Sequence, residues 1–325
     1  MTVGAATAVL ARAGRWRWPE VVFWVAAGAS WFVLPEQHLL LNEICILGLF
    51  TLSLDLVLGF AGIISLGHAA FFGCGAYIAG MLARAGYGDP VLGLVAGGVG
   101  AGVLGFATAF LVLRGSDLTR LMVTLSVSLV LFELANRLTF LTGGADGLQG
   151  MAVGAVLGRF EFDIFGAVAH AYSLVVLFVL FVAIRWIMAS PFGVSVRAVK
   201  GNRLRAAAIG IPVNARLVGI YALAALYAGV AGALLAQTTQ FVSLDVLAFH
   251  RSAEVMLTLV IGGTGMLYGG LVGAILFKVA QDTLSNLTPE YWQFWLGLIF
   301  VALVVVGRER VFGWPAALWA RVRGR

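Results

Sequence analysis

The chain has 325 residues, of which 61% are hydrophobic and only 11% charged, with a net charge of +6 carried almost wholly by arginine. A soluble domain carries roughly 25% charged residues, so this chain cannot cover a water-facing surface of its size. Composition therefore excludes a soluble enzyme and points to an all-α integral membrane protein, because helices satisfy their own backbone groups in lipid. The basic residues fall between apolar runs, a placement that fits membrane topology and not nucleic-acid binding.

Crossing a hydrocarbon core of roughly 30 Å takes about 20 apolar residues. Ten segments qualify, near 19–35, 39–60, 63–83, 91–113, 118–141, 168–187, 215–237, 252–263, 267–285 and 291–307. The first follows Arg12, Arg15 and Arg17 and resembles a signal peptide, with Ala27-Gly28-Ala29 in the form of a cleavage site. The many later runs favour an uncleaved first span. The eighth is short enough to be re-entrant or tilted, so eight to ten true crossings are expected.

With the N-terminus in the cytoplasm and ten crossings, 16 of the 21 basic residues face inward. They are Arg12, Arg15, Arg17, Arg114, Arg120, Arg185, Arg197, Lys200, Arg203, Arg205, Arg216, Arg308, Arg310, Arg321, Arg323 and Arg325. Arg84, Arg137, Arg159, Arg251 and Lys278 fall outside or within the bilayer. This asymmetry places both termini inside. The expected organisation is one transmembrane domain with a cytoplasmic tail over 1–18, an inner loop over 189–214 and a basic tail over 308–325. A second polar interruption, 143–167, falls on the outer side.

Glycines crowd two zones: Gly59, Gly62, Gly67, Gly73, Gly75 and Gly80, then Gly262, Gly263, Gly265, Gly269, Gly270 and Gly273. Small residues let membrane helices approach closely, and glycine clusters also mark broken helices beside a path; both readings stand. Within the inner loop, Ser190-Pro191-Phe192-Gly193 is followed by a basic stretch, and Arg203 to Ile209 reads as a short helix stopped by Gly210-Ile211-Pro212. Such a helix suits docking to another protein, or it is an ordinary topology-fixing loop.

Intramembrane charges are functional suspects. Here they are Glu43, Asp55, Glu133, Arg137, Glu254 and Lys278. Glu133 and Arg137 are four apart and can pair, with Asn136 beside them. His68 falls at a helix start, where it caps, packs or lines a route. His38, His68, His170 and His250 have no histidine or cysteine at ligand spacing, so no metal site is expected. Cys45 and Cys74 read as small buried hydrophobes. Neither lysine follows a glycine, so the phosphate-binding loop G-x-x-x-x-G-K-[ST] is absent.

Leu58-Gly59-Phe60-Ala61-Gly62-Ile63-Ile64-Ser65-Leu66-Gly67-His68-Ala69-Ala70-Phe71-Phe72-Gly73-Cys74-Gly75-Ala76-Tyr77 resembles the signature of LivM-type permeases of the branched-chain amino-acid ABC importers. Thr142-Gly143-Gly144-Ala145-Asp146-Gly147-Leu148 is similar to that family's T-G-G-x-D-G-L segment, and Gly262-Gly263-Thr264-Gly265-Met266-Leu267-Tyr268-Gly269-Gly270 to its G-G-x-G-x-x-Y-G-P segment, with Gly270 in place of proline. The inner loop resembles the family's ATPase-coupling pattern N-E-x-A-A-E-A-x-G, but Arg203 and Ala207 stand at its acidic places.

The resemblance implies a type II ABC importer-like fold of about ten helical segments. It also implies a bacterial inner-membrane location, a LivH-type partner permease, two cytoplasmic ATPase subunits that bind the ATP, and an extracytoplasmic binding protein. This chain itself would bind no cofactor. Coupling would fall to Arg197, Lys200, Asn202, Arg203, Arg205, Ala206, Ala208 and Gly210. The substrate path would run near Asp55, Ser65, His68, Glu133 and Asn136, with Gly59, Gly62, Gly67, Gly73, Gly75, Gly262, Gly263, Gly265 and Gly269 as structural glycines. The expected cargo is a branched-chain amino acid, with urea or another small amide as the alternative. An ion-gradient-driven carrier is the rival mechanism, and it would use Glu43, Asp55 and Glu254.

Overall fold

The computed structural model describes residues 17–306. The tail arginines before Arg17 and after residue 306, and with them the expected terminal tails, lie outside the described residues. Among the described residues twelve helices carry the architecture. They are α1 (Trp18–Val33), α2 (His38–Asp55), α3 (Ala69–Arg84), α4 (Pro90–Val112), α5 (Asp117–Arg137), α6 (Ala167–Ala189), α7 (Pro191–Gly201), α8 (Arg203–Ala208), α9 (Val213–Thr239), α10 (Phe249–Gly262), α11 (Leu267–Leu287) and α12 (Trp292–Val306). Thr139–Thr142 adds one further turn.

Each expected segment holds a helix, but their lengths differ in a way composition does not show. Among the described residues five helices are long and apolar enough to cross a membrane, or six if the bent pair α10–α11 counts as one. This is fewer than the eight to ten expected. Helices α1 and α3 have 16 residues each, short of the usual span.

The helix starts follow local chemistry. Asp89 caps α4 by accepting from Val91 N at 2.8 Å, and Pro90 occupies the first turn, where its missing N–H costs nothing. Ser116 caps α5, and Asn202 Oδ1 caps α8 from Arg205 N at 2.9 Å. At α6, Asp163 accepts from Val168 N at 2.9 Å and Ala167 N at 3.1 Å. Partial burial opposes ionisation of Asp163, but these two bonds, its own backbone N–H and the nearby His38 together outweigh it and hold the carboxyl below its ordinary range. Its stabilising effect is therefore present above about pH 4 and lost as pH falls through the lowered value. Asp163→Ala is expected to cost about 1 kcal/mol at neutral pH. Thermal unfolding in detergent checks this, and the gap to the parent should close in acid.

Helix α2 is the core, buried from Cys45 to Asp55 and packed against α6, α9, α10 and α11. The periphery shows the opposite pattern. Val95, Val99, Val103 and Phe106 of α4, and Leu118, Met122, Leu129 and Val130 of α5, form outward apolar stripes suited to lipid. Between core and rim, α3, α4 and α9 meet through glycine. A Cβ on Gly75 would collide with the Gly229 backbone, and one on Gly229 would crowd Ala101 and the Gly97 carbonyl. Arg185 of α6 and Glu20 of α1 pair at 2.6 Å in a largely buried setting, which ties α1 to the bundle. Arg185 is thus a structural tie besides a topology signal.

Two departures from the expected elements matter. The third segment was expected to be helical from 63, yet residues 61–68 run without helix and α3 starts only at Ala69. Helix α2 ends in a wide π turn, Leu56–Phe60, and Gly62 takes a left-handed φ of +69°. Side chains supply the partners that helix would have given: Leu66 N donates to Thr124 Oγ1 at 3.2 Å, and Ala69 N to Ser252 Oγ at 2.9 Å. The second departure is the inner loop, which holds two helices where one was expected. Pro191 opens α7 at its first position, and Asn202 breaks the chain before α8.

Candidate functional site

The two glycine zones meet in space. The break after α2 lies against the break between α10 and α11, where the axes bend by 112° and Gly263 and Gly265 adopt φ of +104° and +79°. Asp55 is fully buried, and its Oδ1 accepts from Gly265 N at 2.6 Å, one zone bonding the other. A Cβ on Gly59 would strike both Asp55 and Gly265 N. The second carboxylate oxygen, Asp55 Oδ2, has no hydrogen-bond partner.

Lys200 of α7 enters this junction. Its ammonium donates to the Gly59 carbonyl, its stem packs on Gly62, and the position of a Cβ on Gly265 would lie 4.0 Å from Nζ. Lys200 thus bonds the first break, lies close to the second and is an electrostatic neighbour of Asp55. Arg197 also turns toward the bundle, donating to the Met188 carbonyl at 2.6 Å and lying 5.4 Å over the Phe60 ring.

Helix α8 does the reverse. Ala206 pins it, buried to 2%, while Leu204 and Ile209 are 85% and 71% exposed. Asn202, Arg205, Ala208 and Gly210 are exposed around them and Arg203 is half-buried. The eight residues expected to act in coupling therefore divide: Arg197 and Lys200 reach to the bundle, Ala206 packs α8 against it, Arg203 is half-buried, and Asn202, Arg205, Ala208 and Gly210 face outward. The apolar pair Leu204 and Ile209 was missed in the sequence, although both stand within the basic helix where leucine and isoleucine have no core to fill.

His68 is fully buried, with Nε2 2.9 Å from Ser53 Oγ and its ring stacked on Phe50. Ser65 is buried beside it in the same non-helical stretch. Glu133 and Asn136 are not brought to this group. Glu133 pairs with Arg137 at 2.6 Å on the open face of α5, the two being 51% and 79% exposed, and Asn136 is half-buried near Gly144.

A second polar centre lies toward the other ends of the same helices. A cavity of about 280 Å³ is lined by Glu43, Phe50, Phe72, Arg251, Glu254, Lys278 and Gln281, with Ile46, Leu47 and Leu235 completing its wall. Lys278 Nζ and Glu43 Oε2 are 3.0 Å apart. Arg251 bonds Asp245 at 2.9 Å and Glu254 at 3.1 Å. Glu43, Glu254 and Lys278 stand out in the sequence as isolated charges. Arg251 and Gln281 do not, and only their spacing of three from Glu254 and Lys278 marks them.

Residues 38–304 match the family model described as "Branched-chain amino acid transport system / permease component". The chain belongs to this permease family. It is 28% identical over 282 residues to "High-affinity branched-chain amino acid transport system permease protein LivM" of Escherichia coli (strain K12), covering 78% of this chain and 64% of that protein's length. It is also 28% identical to "L-arabinose ABC transporter permease protein AraH" of Azospirillum brasilense, over 84% of this chain and 80% of that one. "Ribose import permease protein RbsC" of Bacillus subtilis (strain 168) is 28% identical over 83% and 84% of the two chains. No solved structure matches.

Proposed function

We propose that this chain is the membrane-spanning permease subunit of an ATP-driven importer of branched-chain amino acids. It works with a LivH-type permease, two cytoplasmic ATPase subunits that hold the ATP, and an extracytoplasmic binding protein. Its place is the bacterial inner membrane, with both termini in the cytoplasm. The supporting observation is Lys200, which bonds α7 to the break after α2 and lies beside the break between α10 and α11. An ATPase docked on α8 through Leu204 and Ile209 moves α7 with it, and Lys200 carries that movement to the breaks. Alternating access follows when α10 and α11 change their angle around those breaks.

Labelled leucine uptake into liposomes carrying the reconstituted complex tests this reading. Uptake should require both ATP and the loaded binding protein. Lys200→Met should leave assembly and ATP hydrolysis in place and cut uptake at least about tenfold, the equivalent of roughly 1.4 kcal/mol of coupling. Unchanged uptake in that variant sinks the coupling role. A second reading, import of a neutral sugar by the same architecture, rests on the likeness to AraH and RbsC. Arabinose or ribose uptake with no leucine uptake would establish it.

A further inference from the structure

The cavity of Glu43, Arg251, Glu254, Lys278 and Gln281 has no part in the coupling just described. Its walls come from α2, α3, α9, α10 and α11, five helices converging on one space. At about 280 Å³ it far exceeds the roughly 10–15 Å³ that one water needs. Ionisable groups inside a membrane domain are costly, and they mark pathways and ligand sites.

The site retains unused bonding capacity of both kinds. Arg251 uses its Nε and both terminal nitrogens on Asp245 and Glu254, which fixes the guanidinium plane and leaves N–H groups over from its five. Lys278 makes its ion pair to Glu43 with one of three ammonium protons. On the acceptor side, Gln281 Oε1 is buried and has no hydrogen-bond partner. Glu43 is 54% exposed and keeps lone pairs free.

The four charges that line the cleft, Glu43 and Glu254 against Arg251 and Lys278, are balanced, and Asp245, bonded to Arg251 from outside the lining, adds a third carboxylate. The set offers both signs side by side, so an ion of one sign meets a like charge beside each opposite one, and a neutral sugar uses neither. A molecule that carries an ammonium and a carboxylate on one carbon satisfies both sides. The remaining wall, Ile46, Leu47, Phe50, Phe72 and Leu235, is apolar.

We propose that this cleft is a binding site for a zwitterionic amino acid with an aliphatic side chain. Arg251 and Lys278 hold its carboxylate, Glu43 and Gln281 its ammonium, and the apolar wall its side chain. The inference rests on the importer reading above and names where the permease itself recognises the cargo.

A photoreactive diazirine analogue of leucine, added to the purified complete complex without binding protein, provides the test. Crosslinks are expected in the peptides of α2, α10 and α11 that line the cleft, and excess leucine should compete them away. The amine and the acid that each lack one charge of leucine should compete at least about tenfold less well. Arg251→Gln and Lys278→Met should lower labelling by a similar factor and raise the KM for leucine uptake, whereas Gly28→Ala, away from the cleft and with open space around it, should label and import as the parent does. Crosslinks elsewhere in a parent complex that imports leucine overturn the site and leave the importer standing. A parent complex that hydrolyses ATP but imports only a neutral sugar overturns the cargo reading, and this site with it.

Discussion

Valine in place of Gly75 is expected to prevent the bundle from packing. Gly75 of α3 faces Gly229 of α9, and its own carbonyl lies 2.8 Å from where a Cβ on Gly97 of α4 would stand. Three backbones therefore converge on one point without an intervening side chain. Any Cβ at Gly75 meets main-chain atoms, which cannot rotate away as the end of a side chain can. Overpacking a core costs about 1–3 kcal/mol where side chains can move, so a β-branched residue against fixed backbone should cost at least about 3 kcal/mol. In lipid no hydrophobic force between helices compensates. Thermal unfolding in detergent should show a loss of folded protein, whereas Gly28→Ala, with open space around it, should leave stability near the parent. Parent-like stability of Gly75→Val would mean that α3 and α9 do not touch through these glycines.

Removing Asp55 should affect transport more than stability. Asp55→Leu deletes the acceptor of Gly265 N and the charge beside Lys200 together. An unsatisfied buried donor costs about 1–3 kcal/mol. Asp55→Asn separates the two contributions, because the amide oxygen still accepts from Gly265 while the charge is gone. Asn should keep most of the stability. If the charge serves only to hold the fold, uptake will track stability in both variants. If it holds Lys200 in register, Asn will lower the maximal uptake rate about tenfold with little change in KM, a loss equivalent to roughly 1.4 kcal/mol. Uptake by Asp55→Asn at the parent rate excludes the second role.

Much of the architecture was legible in the sequence because lipid imposes one rule: an apolar run must be a helix. Each expected segment accordingly holds one. The breaks were not legible. Gly59, Gly62 and Gly67 read equally well as close packing or as a broken helix, and the decision lies with Thr124 and Ser252, distant residues that supply the bonds residues 61–68 give up. The role of Lys200 was hidden for the same reason. Its position in a basic loop gives its topology, but its contact with Gly59 depends on how α7 folds back. Glu133 shows the reverse case. Its pairing with Arg137 four residues later was readable, yet nothing local tells whether that pair faces the bundle or the open face of α5.

The bend between α10 and α11 puts the two cations of the charged cleft on separate arms of one V. Arg251 stands eleven residues from the Gly262 end of its arm and Lys278 eleven from the Leu267 end of the other. Each cation is thus about 16 Å from the hinge at 1.5 Å per residue. Opening or closing the V by roughly 10° moves the tips apart or together by about 3 Å at that radius, which is a whole hydrogen-bond length. A hinge whose backbone holds glycine at positive φ, with Lys200 of α7 beside it, is a geometry in which a small rotation at one end of the bundle makes or unmakes a bidentate grip at the other.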